Sequence, residues 1–220
     1  RDMNRVWDDD LAWNNDHSWE AQRARTLLPL IDRCDFLLDL HTMVRSGPPL
    51  AIIGPATRHR DLAMAVGAPE WVIIDPGHAA GRRLTDYTRF RDNNAYATAM
   101  LLECGGHQDA ASPAIAEAMA WQLLEALHVV DRPIGAPCSP PPQSQRFVRT
   151  THTLTPSLDG TFHFEKPFQG LEWLPEMGTL VATDGAREIR TPYNDCVLLM
   201  PSILPHPDDT ALRFGRIEIP

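Results

Sequence analysis

The sequence predicts an α/β domain, with a mixed, largely parallel sheet and flanking helices, followed by a small all-β domain. Up to about residue 128, short apolar runs typical of buried strands alternate with amphipathic helical patterns. Five prolines follow between residues 133 and 145, and short alternating runs separated by turns occupy the rest. We therefore divide the chain into an α/β domain at 1–132, a linker at 133–145 and an all-β domain at 146–220.

The composition excludes several classes of function. The 220 residues include 29 acidic and 20 basic side chains, and this net charge of -9 argues against a nucleic-acid partner, because phosphate neutralisation needs a basic surface. No apolar run approaches the roughly 20 residues that cross a bilayer, so no membrane partner is expected. The four cysteines are far apart, which predicts neither a disulfide framework nor a zinc knuckle and fits a cytoplasmic location.

The first predicted elements are a helix, a strand and then a strand–helix–strand unit. Ser18 is placed to cap a helix whose apolar face carries Ala21, Ala24, Leu27, Leu28 and Ile31. A buried strand follows at 35–42. A second strand is predicted at 50–54, a helix at 57–67 and a third strand at 71–75.

The strand at 35–42 ends in a polar cluster that includes Asp39 and His41. These two residues share one face of a strand, at the carboxyl edge where open α/β sheets bind ligands. A histidine there is suited to bind a metal ion or to transfer protons. The alternative is a structural histidine that is satisfied at the end of a strand.

A second strand end carries Glu103. The apolar run at 97–102 leads into this carboxylate, and Gly105 and Gly106 then allow backbone to approach a ligand. Glu103 is therefore either a general base or a buried structural carboxylate. A helix capped by Ser112 is predicted at 112–128.

Two further groups of residues suit an anionic ligand. Asn4 and Arg5 are neighbours that together can hold a carboxylate, although an isolated pair of this kind also occurs in surface loops. The stretch 76–95 collects four arginines, Arg82, Arg83, Arg89 and Arg91, in an otherwise acidic protein. It either attracts an anionic small molecule or is a solvated loop whose arginines pair with nearby aspartates.

After residue 146 the pattern changes to short strands. They are predicted at Phe147–Leu154, Gly160–Phe164, Thr179–Ala182 and Cys196–Met200.

In this order, these features resemble the succinylglutamate desuccinylase/aspartoacylase family of zinc-carboxypeptidase-like hydrolases. Residues 2–5, Asp-Met-Asn-Arg, are similar to the family's D-L-N-R, residues 39–41 match its D-L-H, and Glu103 ends a Leu-Leu-Glu run. The β-rich tail, with turns at 183–185 and 191–195, resembles the barrel-sandwich tail of some members. The resemblance spans most of the chain and implies a zinc-carboxypeptidase-like fold with a barrel-sandwich-like C-terminal domain.

The resemblance also implies a function. It implies a hydrolase with one Zn²⁺ per subunit in the intact protein, which cleaves the amide bond of an N-acylated amino acid or a similar small carboxylate. His41 is then a zinc ligand, Glu103 the general base, and Asn4 with Arg5 the site for a substrate carboxylate. We expect one or more of the arginines in 76–95, Arg89 or Arg91 by preference, to bind a second carboxylate; this assignment rests on the local charge and not on a family motif.

The chain departs from the family pattern at its start. The family's other two zinc ligands form an H-x-x-E motif upstream of D-L-N-R, together with an oxyanion-stabilising arginine, whereas this sequence begins at Arg1. We expect that an N-terminal part of the natural protein is absent and that the 220-residue chain binds zinc poorly. His17 and Glu20 have the H-x-x-E spacing, but they follow the Asn-Arg pair at a predicted helix start, so no ligand role is assigned to them.

Two other functions remain open at this stage. A zinc carboxypeptidase acting on peptide C-termini shares the chemistry and differs in the size of the pocket. A binding protein with a degenerate metal site would use the β domain for recognition without catalysis. A homo-oligomer is compatible with any of these.

Overall fold

The computed structural model describes residues 2–78, 81–133, 135–138, 144–158, 161–207 and 209–218. The chain divides into two compact units, residues 1–145 and residues 146–220. Parts of the predicted linker, at 134 and 139–143, and Gly160 of a predicted strand lie outside the described residues. Within the described ranges, no helix is long and apolar enough to cross a membrane.

The first unit contains a four-stranded mixed sheet. Its strands are β1 (Phe36–Met43), β2 (Leu50–Ile53), β3 (Trp71–Ile74) and β4 (Thr98–Gly106), in the order β1-β4-β2-β3. β1 pairs with β4 and β2 with β3 in parallel, whereas β2 and β4 are antiparallel. This architecture confirms the predicted mixed, largely parallel sheet with flanking helices.

The described residues of this unit form four α-helices, α1 (Trp19–Ile31), α2 (Thr57–Val66), α3 (Thr88–Arg91) and α4 (Ser112–Ala126). The Ser18 hydroxyl accepts a hydrogen bond from the Ala21 N–H at 3.2 Å, which confirms the predicted cap of α1. α1 buries Ala21, Ala24, Leu28 and Ile31 in a cluster that also contains Trp7 and Phe90. α2 ends at Gly67, whose φ of 73° suits a residue without a side chain.

Three details differ from the sequence-based expectations. β1 is half-exposed rather than buried, with Phe36 46% and Leu40 44% accessible, because among the described strands it has a neighbour, β4, on one side only. β4 continues to Gly106, so Glu103 lies within the strand rather than at its end. Ser112 is the first residue of α4, and its hydroxyl donates to the Gly106 carbonyl at 3.1 Å instead of capping the helix.

The second unit consists of two antiparallel sheets and, in its described part, contains no helix. Its strands are β5 (Arg146–Leu154), β6 (Phe162–Phe164), β7 (Trp173–Leu174), β8 (Leu180–Asp184), β9 (Arg187–Arg190), β10 (Cys196–Leu199) and β11 (Leu212–Ile217). The order is β5-β11-β10-β7 in one sheet and β6-β8-β9 in the other. The apolar core of this unit is drawn from both sheets and includes Val181, Ile189, Leu198 and Phe214.

Candidate active site

His41 and Glu103 stand side by side on adjacent strands. They occupy the same register position in the parallel pair of β1 and β4, and Leu50 of β2 occupies the matching position on the other side of Glu103. Side chains at matching positions of neighbouring strands project from the same face of a sheet. The sheet thus brings together the imidazole and the carboxylate that the sequence indicated.

Glu103 is a buried carboxylate with unused bonding capacity. It is 7% exposed, and its Oε2 has no hydrogen-bond partner among the described residues. Burial raises the pKa of Glu103, and the negative charge of Asp39 adds to this, while the positive charges of His41, Arg83 and Arg5 oppose it. A carboxylate in this state is suited to take up and release a proton.

His41 is held by the residues around its Nε2 atom. This atom lies 3.0 Å from Asp39 Oδ1 and 3.1 Å from Asn4 Nδ2. The hydrogen bond with Asp39 raises the pKa of His41, burial lowers it, and the charges of Asp39, Glu103 and Asp2 raise it further. The imidazole therefore lies between carboxylates, in a site whose potential favours a cation.

The side chain of Asn4 connects this site to a neighbouring loop. Its amide Nδ2 donates to Asp39 Oδ2 at 3.2 Å, and its Oδ1 accepts from the backbone N–H of Leu84 at 2.6 Å. Arg5, the next residue, donates from Nη1 to the Asn4 carbonyl at 2.7 Å and lies 3.4 Å from the Asp2 carboxylate. Asp2 also accepts from the Asn4 N–H, so residues 2–5 form one hydrogen-bonded turn.

Residues 81–84 run directly against residues 4–7. Gly81 has a φ of 114°, and a Cβ atom on it would overlap the carbonyl oxygen of Arg5, so a glycine is required at this close approach. The Trp7 N–H donates to the Arg82 carbonyl at 3.3 Å. Together with the bond from Leu84 to Asn4, these contacts fix the first residues of the chain beside the loop.

The loops that follow β1 and β4 are joined above the site. Asp109 accepts hydrogen bonds from the Ser46 hydroxyl and the Gly106 N–H, both at 2.6 Å. Thr42 Oγ1 lies 2.7 Å from His107 Nδ1. A Cβ atom on Gly106 would lie 2.8 Å from the Ser46 Cα, so a side chain there would push the two loops apart.

The structure does not bring Arg89 to His41 and Glu103. Its guanidinium donates to the Cys34 carbonyl at 2.6 Å and to Asp35 at 3.2 Å, just before β1 begins. Because a strand rises about 3.3 Å per residue, this position is roughly 20 Å from residue 41. Arg89 lines a separate cleft of about 380 Å³, together with Asp32, Tyr87 and Tyr96.

Arg91 is also engaged elsewhere. Its guanidinium lies 3.6 Å from the carboxylate of Asp9, and its side chain is half-exposed. No described contact connects it to His41 or Glu103. Its expected role in binding a second carboxylate stays a prediction.

The described residues do not by themselves form a complete metal centre. No group of three or more His, Cys, Asp or Glu side chains in the described ranges could hold a metal ion. His41 has the chemistry of one zinc ligand, because a neutral imidazole nitrogen is a common ligand of this ion. The donor set therefore fits one position of a zinc site and not the whole site.

Arg83 is a site residue to which the sequence analysis assigned no role of its own. It is 5% exposed, donates from Nε to Asp86 Oδ2 at 2.7 Å, and donates from Nη2 to Asp75 Oδ1 at 3.1 Å. Its charge also acts on Glu103. The available signal was an arginine between two aspartates in a glycine-bearing loop, but the same pattern fits a solvated loop equally well.

Comparisons with known proteins agree with this architecture. No protein-family model and no curated protein match the sequence. The succinylglutamate desuccinylase of Vibrio cholerae superposes on 99% of the chain with a TM-score of 0.71 and 18% identity. The enzyme of the same name from Vibrio parahaemolyticus superposes on 99% of the chain with a TM-score of 0.69 and 16% identity. A succinylglutamate desuccinylase/aspartoacylase from Rhodobacter sphaeroides superposes on 100% of the chain, with a TM-score of 0.66 and 13% identity.

The chain is shorter than these neighbours. It spans 65% of the length of each Vibrio protein and 69% of the Rhodobacter protein. The similarity therefore concerns the architecture of this part of the neighbours. The chain therefore has the fold of the succinylglutamate desuccinylases and aspartoacylases.

Proposed function

We propose that the protein containing this chain is a zinc-dependent deacylase that hydrolyses the amide bond of an N-acylated amino acid or a similar small carboxylate. The observation that carries the proposal is Glu103, a buried carboxylate beside the imidazole of His41, with one oxygen that has no hydrogen-bond partner in the described part of the chain. The fold of known deacylases supports the same reaction class.

In this proposal Glu103 carries the proton. It accepts a proton from the attacking water as the oxygen forms a bond to the amide carbon, and it returns that proton to the nitrogen as the carbon–nitrogen bond breaks. Its raised pKa suits both steps, because the group must hold the proton between them. Zinc, when bound, would supply positive charge to this site, and it requires ligands in addition to His41.

Substrate binding is assigned to Arg5. Its guanidinium is only partly buried, and its 3.4 Å contact with the half-exposed Asp2 can be exchanged for a substrate carboxylate. A planar guanidinium can hold a carboxylate with two parallel hydrogen bonds, which would orient a small acidic substrate. Arg91 remains a proposed second contact. The proposed substrate is a small N-acyl amino acid. The proposed location of the protein is the cytoplasm.

The proposal is tested by assaying the longest natural polypeptide that contains this sequence. The zinc-loaded protein is incubated with a panel of N-acetyl and N-succinyl amino acids and with short peptides, and the released amine is measured. Turnover of N-acyl amino acids without turnover of peptides is the expected result. Preferential removal of peptide C-terminal residues would instead indicate a carboxypeptidase, and no turnover on either panel would indicate a binding protein.

A further inference from the structure

Asp75, Arg83 and Asp86 form a buried group of charged side chains, the Arg83 clamp. The next residue after Arg83, Leu84, is hydrogen-bonded through its backbone N–H to Asn4. The Arg83 guanidinium is shared between Asp75, which directly follows β3, and Asp86, which ends the short turn Leu84–Asp86. Asp75 also accepts from the Gly77 N–H at 2.8 Å, and the Arg83 N–H donates to Asp86 at 3.3 Å. All three charged side chains are almost fully buried, so the turn is tied to the sheet by bonds that are shielded from water.

This clamp presents the N–H group of Leu84. Leu84 is the first residue of the turn, where the backbone N–H has no partner inside the turn itself. It donates to Asn4 Oδ1 at 2.6 Å. Because an N–H must meet an oxygen, this bond decides which end of the Asn4 amide faces the loop.

The other end of the amide then faces the site. The Asn4 NH₂ group donates to Asp39 Oδ2 and lies 3.1 Å from His41 Nε2, whose own hydrogen bond is with Asp39 Oδ1. A rotation of the amide by half a turn would place its oxygen against the Asp39 carboxylate, where two acceptors would repel each other. The Leu84 N–H prevents this rotation.

We propose that Arg83 and the Leu84 N–H are positioning groups of the site, which fix the Asn4 amide so that its NH₂ group holds Asp39, the carboxylate that in turn holds His41. Asn4 is then an organiser of the site, and the binding of a substrate carboxylate falls to Arg5. The structural part of this inference is independent of the reaction, whereas its effect on turnover rests on the proposed function.

The sharpest test is the variant Leu84→Pro, with Leu84→Ala as its control. Proline removes both the N–H and the leucine side chain, and it suits the first position of a turn after Arg83, whose φ of -72° and ψ of 162° are those of a residue before proline. Alanine removes the side chain and keeps the N–H. The readout is the pair of side-chain NH₂ signals of Asn4 in ¹H–¹⁵N spectra of the 220-residue chain.

We expect Leu84→Pro to move the Asn4 NH₂ signals to the positions of a freely rotating amide, and Leu84→Ala to leave them near those of the parent chain. Identical Asn4 signals in both variants would overturn the inference. Should Leu84→Pro not fold, Arg83→Lys decides, because lysine keeps the charge without the planar fork. Amide exchange of the Leu84 N–H at least 10-fold faster supports the clamp, and an unchanged rate refutes it.

Activity separates this inference from the proposed function. In the zinc-loaded full protein, the loss of a group that orients a site residue costs about 10- to 100-fold in turnover, and we expect a loss of this size in kcat for Leu84→Pro. An unchanged kcat, in a protein that does hydrolyse N-acyl amino acids, would overturn the positioning role. If the parent protein hydrolyses no substrate of the panel, the proposed function fails, and the Asn4 signals alone decide the inference.

Discussion

Asn4 Nδ2 lies 3.1 Å from His41 Nε2 and donates to Asp39 Oδ2 at 3.2 Å, so one side chain of the N-terminal turn contacts two residues of β1. His41 shares its register position with Glu103 of β4, so these motifs of the sequence meet in space. On its other side, the same Asn4 side chain accepts a hydrogen bond from the N–H of Leu84, the residue next to Arg83.

The stability of the metal-free chain should depend on pH through Glu103. Its pKa is raised in the folded protein, chiefly by burial, so folding binds a proton in the pH range between the ordinary glutamate pKa and the raised one. The stabilising effect of that proton is present below the ordinary value and is lost as pH rises through the raised value. We expect Glu103→Gln to melt at a higher temperature than the parent chain at pH 8.

The difference in stability between Glu103→Gln and the parent chain should depend on pH. It should be larger at pH 8 and shrink toward pH 4, because the unfolded chain also binds the proton at low pH. The measurement is thermal unfolding in the presence of a chelator. Glu117→Gln, at an exposed position of α4, serves as the control and should show no such trend. If Glu103→Gln and the parent chain had equal melting curves at both pH 8 and pH 4, burial would not raise the pKa of Glu103, and the prediction would be wrong.

Loss of the Arg5 guanidinium should weaken the binding of an acidic substrate. A hydrogen bond to a charged group contributes about 1.5 to 3 kcal/mol, so we expect Arg5→Ala to raise KM roughly 10- to 100-fold. Arg5→Lys should recover only part of this, because lysine cannot form two parallel bonds. Arg23→Ala, on the exposed side of α1, is the matched control. A normal KM in Arg5→Ala would remove Arg5 from substrate binding.

The Arg83 clamp should be important for stability. Replacing Arg83 by methionine leaves Asp75 and Asp86 buried without their cation, which typically costs about 3 to 5 kcal/mol. The triple variant Arg83→Met, Asp75→Asn, Asp86→Asn removes all three charges and should recover much of the loss in denaturant unfolding. Arg82→Met breaks only partly exposed pairs and should cost less than about 1 kcal/mol. A triple variant as unstable as Arg83→Met would contradict this account of the clamp.

The cysteines should differ strongly in reactivity. Burial raises the pKa of Cys104 and of Cys196 to about 11, whereas Cys138 is exposed. The thiolate is the reactive form, so at pH 8 the two buried thiols are almost entirely protonated. We expect iodoacetamide to label Cys138 first and Cys104 and Cys196 only after unfolding, as followed by peptide mass spectrometry. Labelling of Cys104 as fast as Cys138 in the folded chain would show that the Glu103 region is open to water.

Local patterns in the sequence predicted much of this structure. The cap at Ser18, the end of α2 at Gly67 and the apolar runs of β2 and β3 depend on residues that are close in the chain. His41 and Glu103 could be found in the same way, because each is a polar residue near the end of an apolar run. Their placement side by side then follows from the parallel pairing of two strands.

The rest depends on contacts between distant segments. Whether β1 is buried is decided by its neighbours in the sheet, and the antiparallel pairing of β2 with β4 has no signature in either strand. The Arg83 clamp joins residues 75, 83 and 86 only after the loop has folded back. The position of Arg89 near the start of β1 likewise depends on how α3 packs, so its distance from His41 could not be predicted from its sequence context.

The central claim is that Glu103 transfers the proton in amide hydrolysis. The most direct test is the kcat of Glu103→Gln in the zinc-loaded full protein with its best N-acyl amino acid, measured beside Glu117→Gln and with zinc content determined for both. General base catalysis typically contributes about 100- to 10,000-fold, so we predict a loss of that size in Glu103→Gln at unchanged zinc content and parental kcat in Glu117→Gln. Parental turnover in Glu103→Gln would contradict the claim.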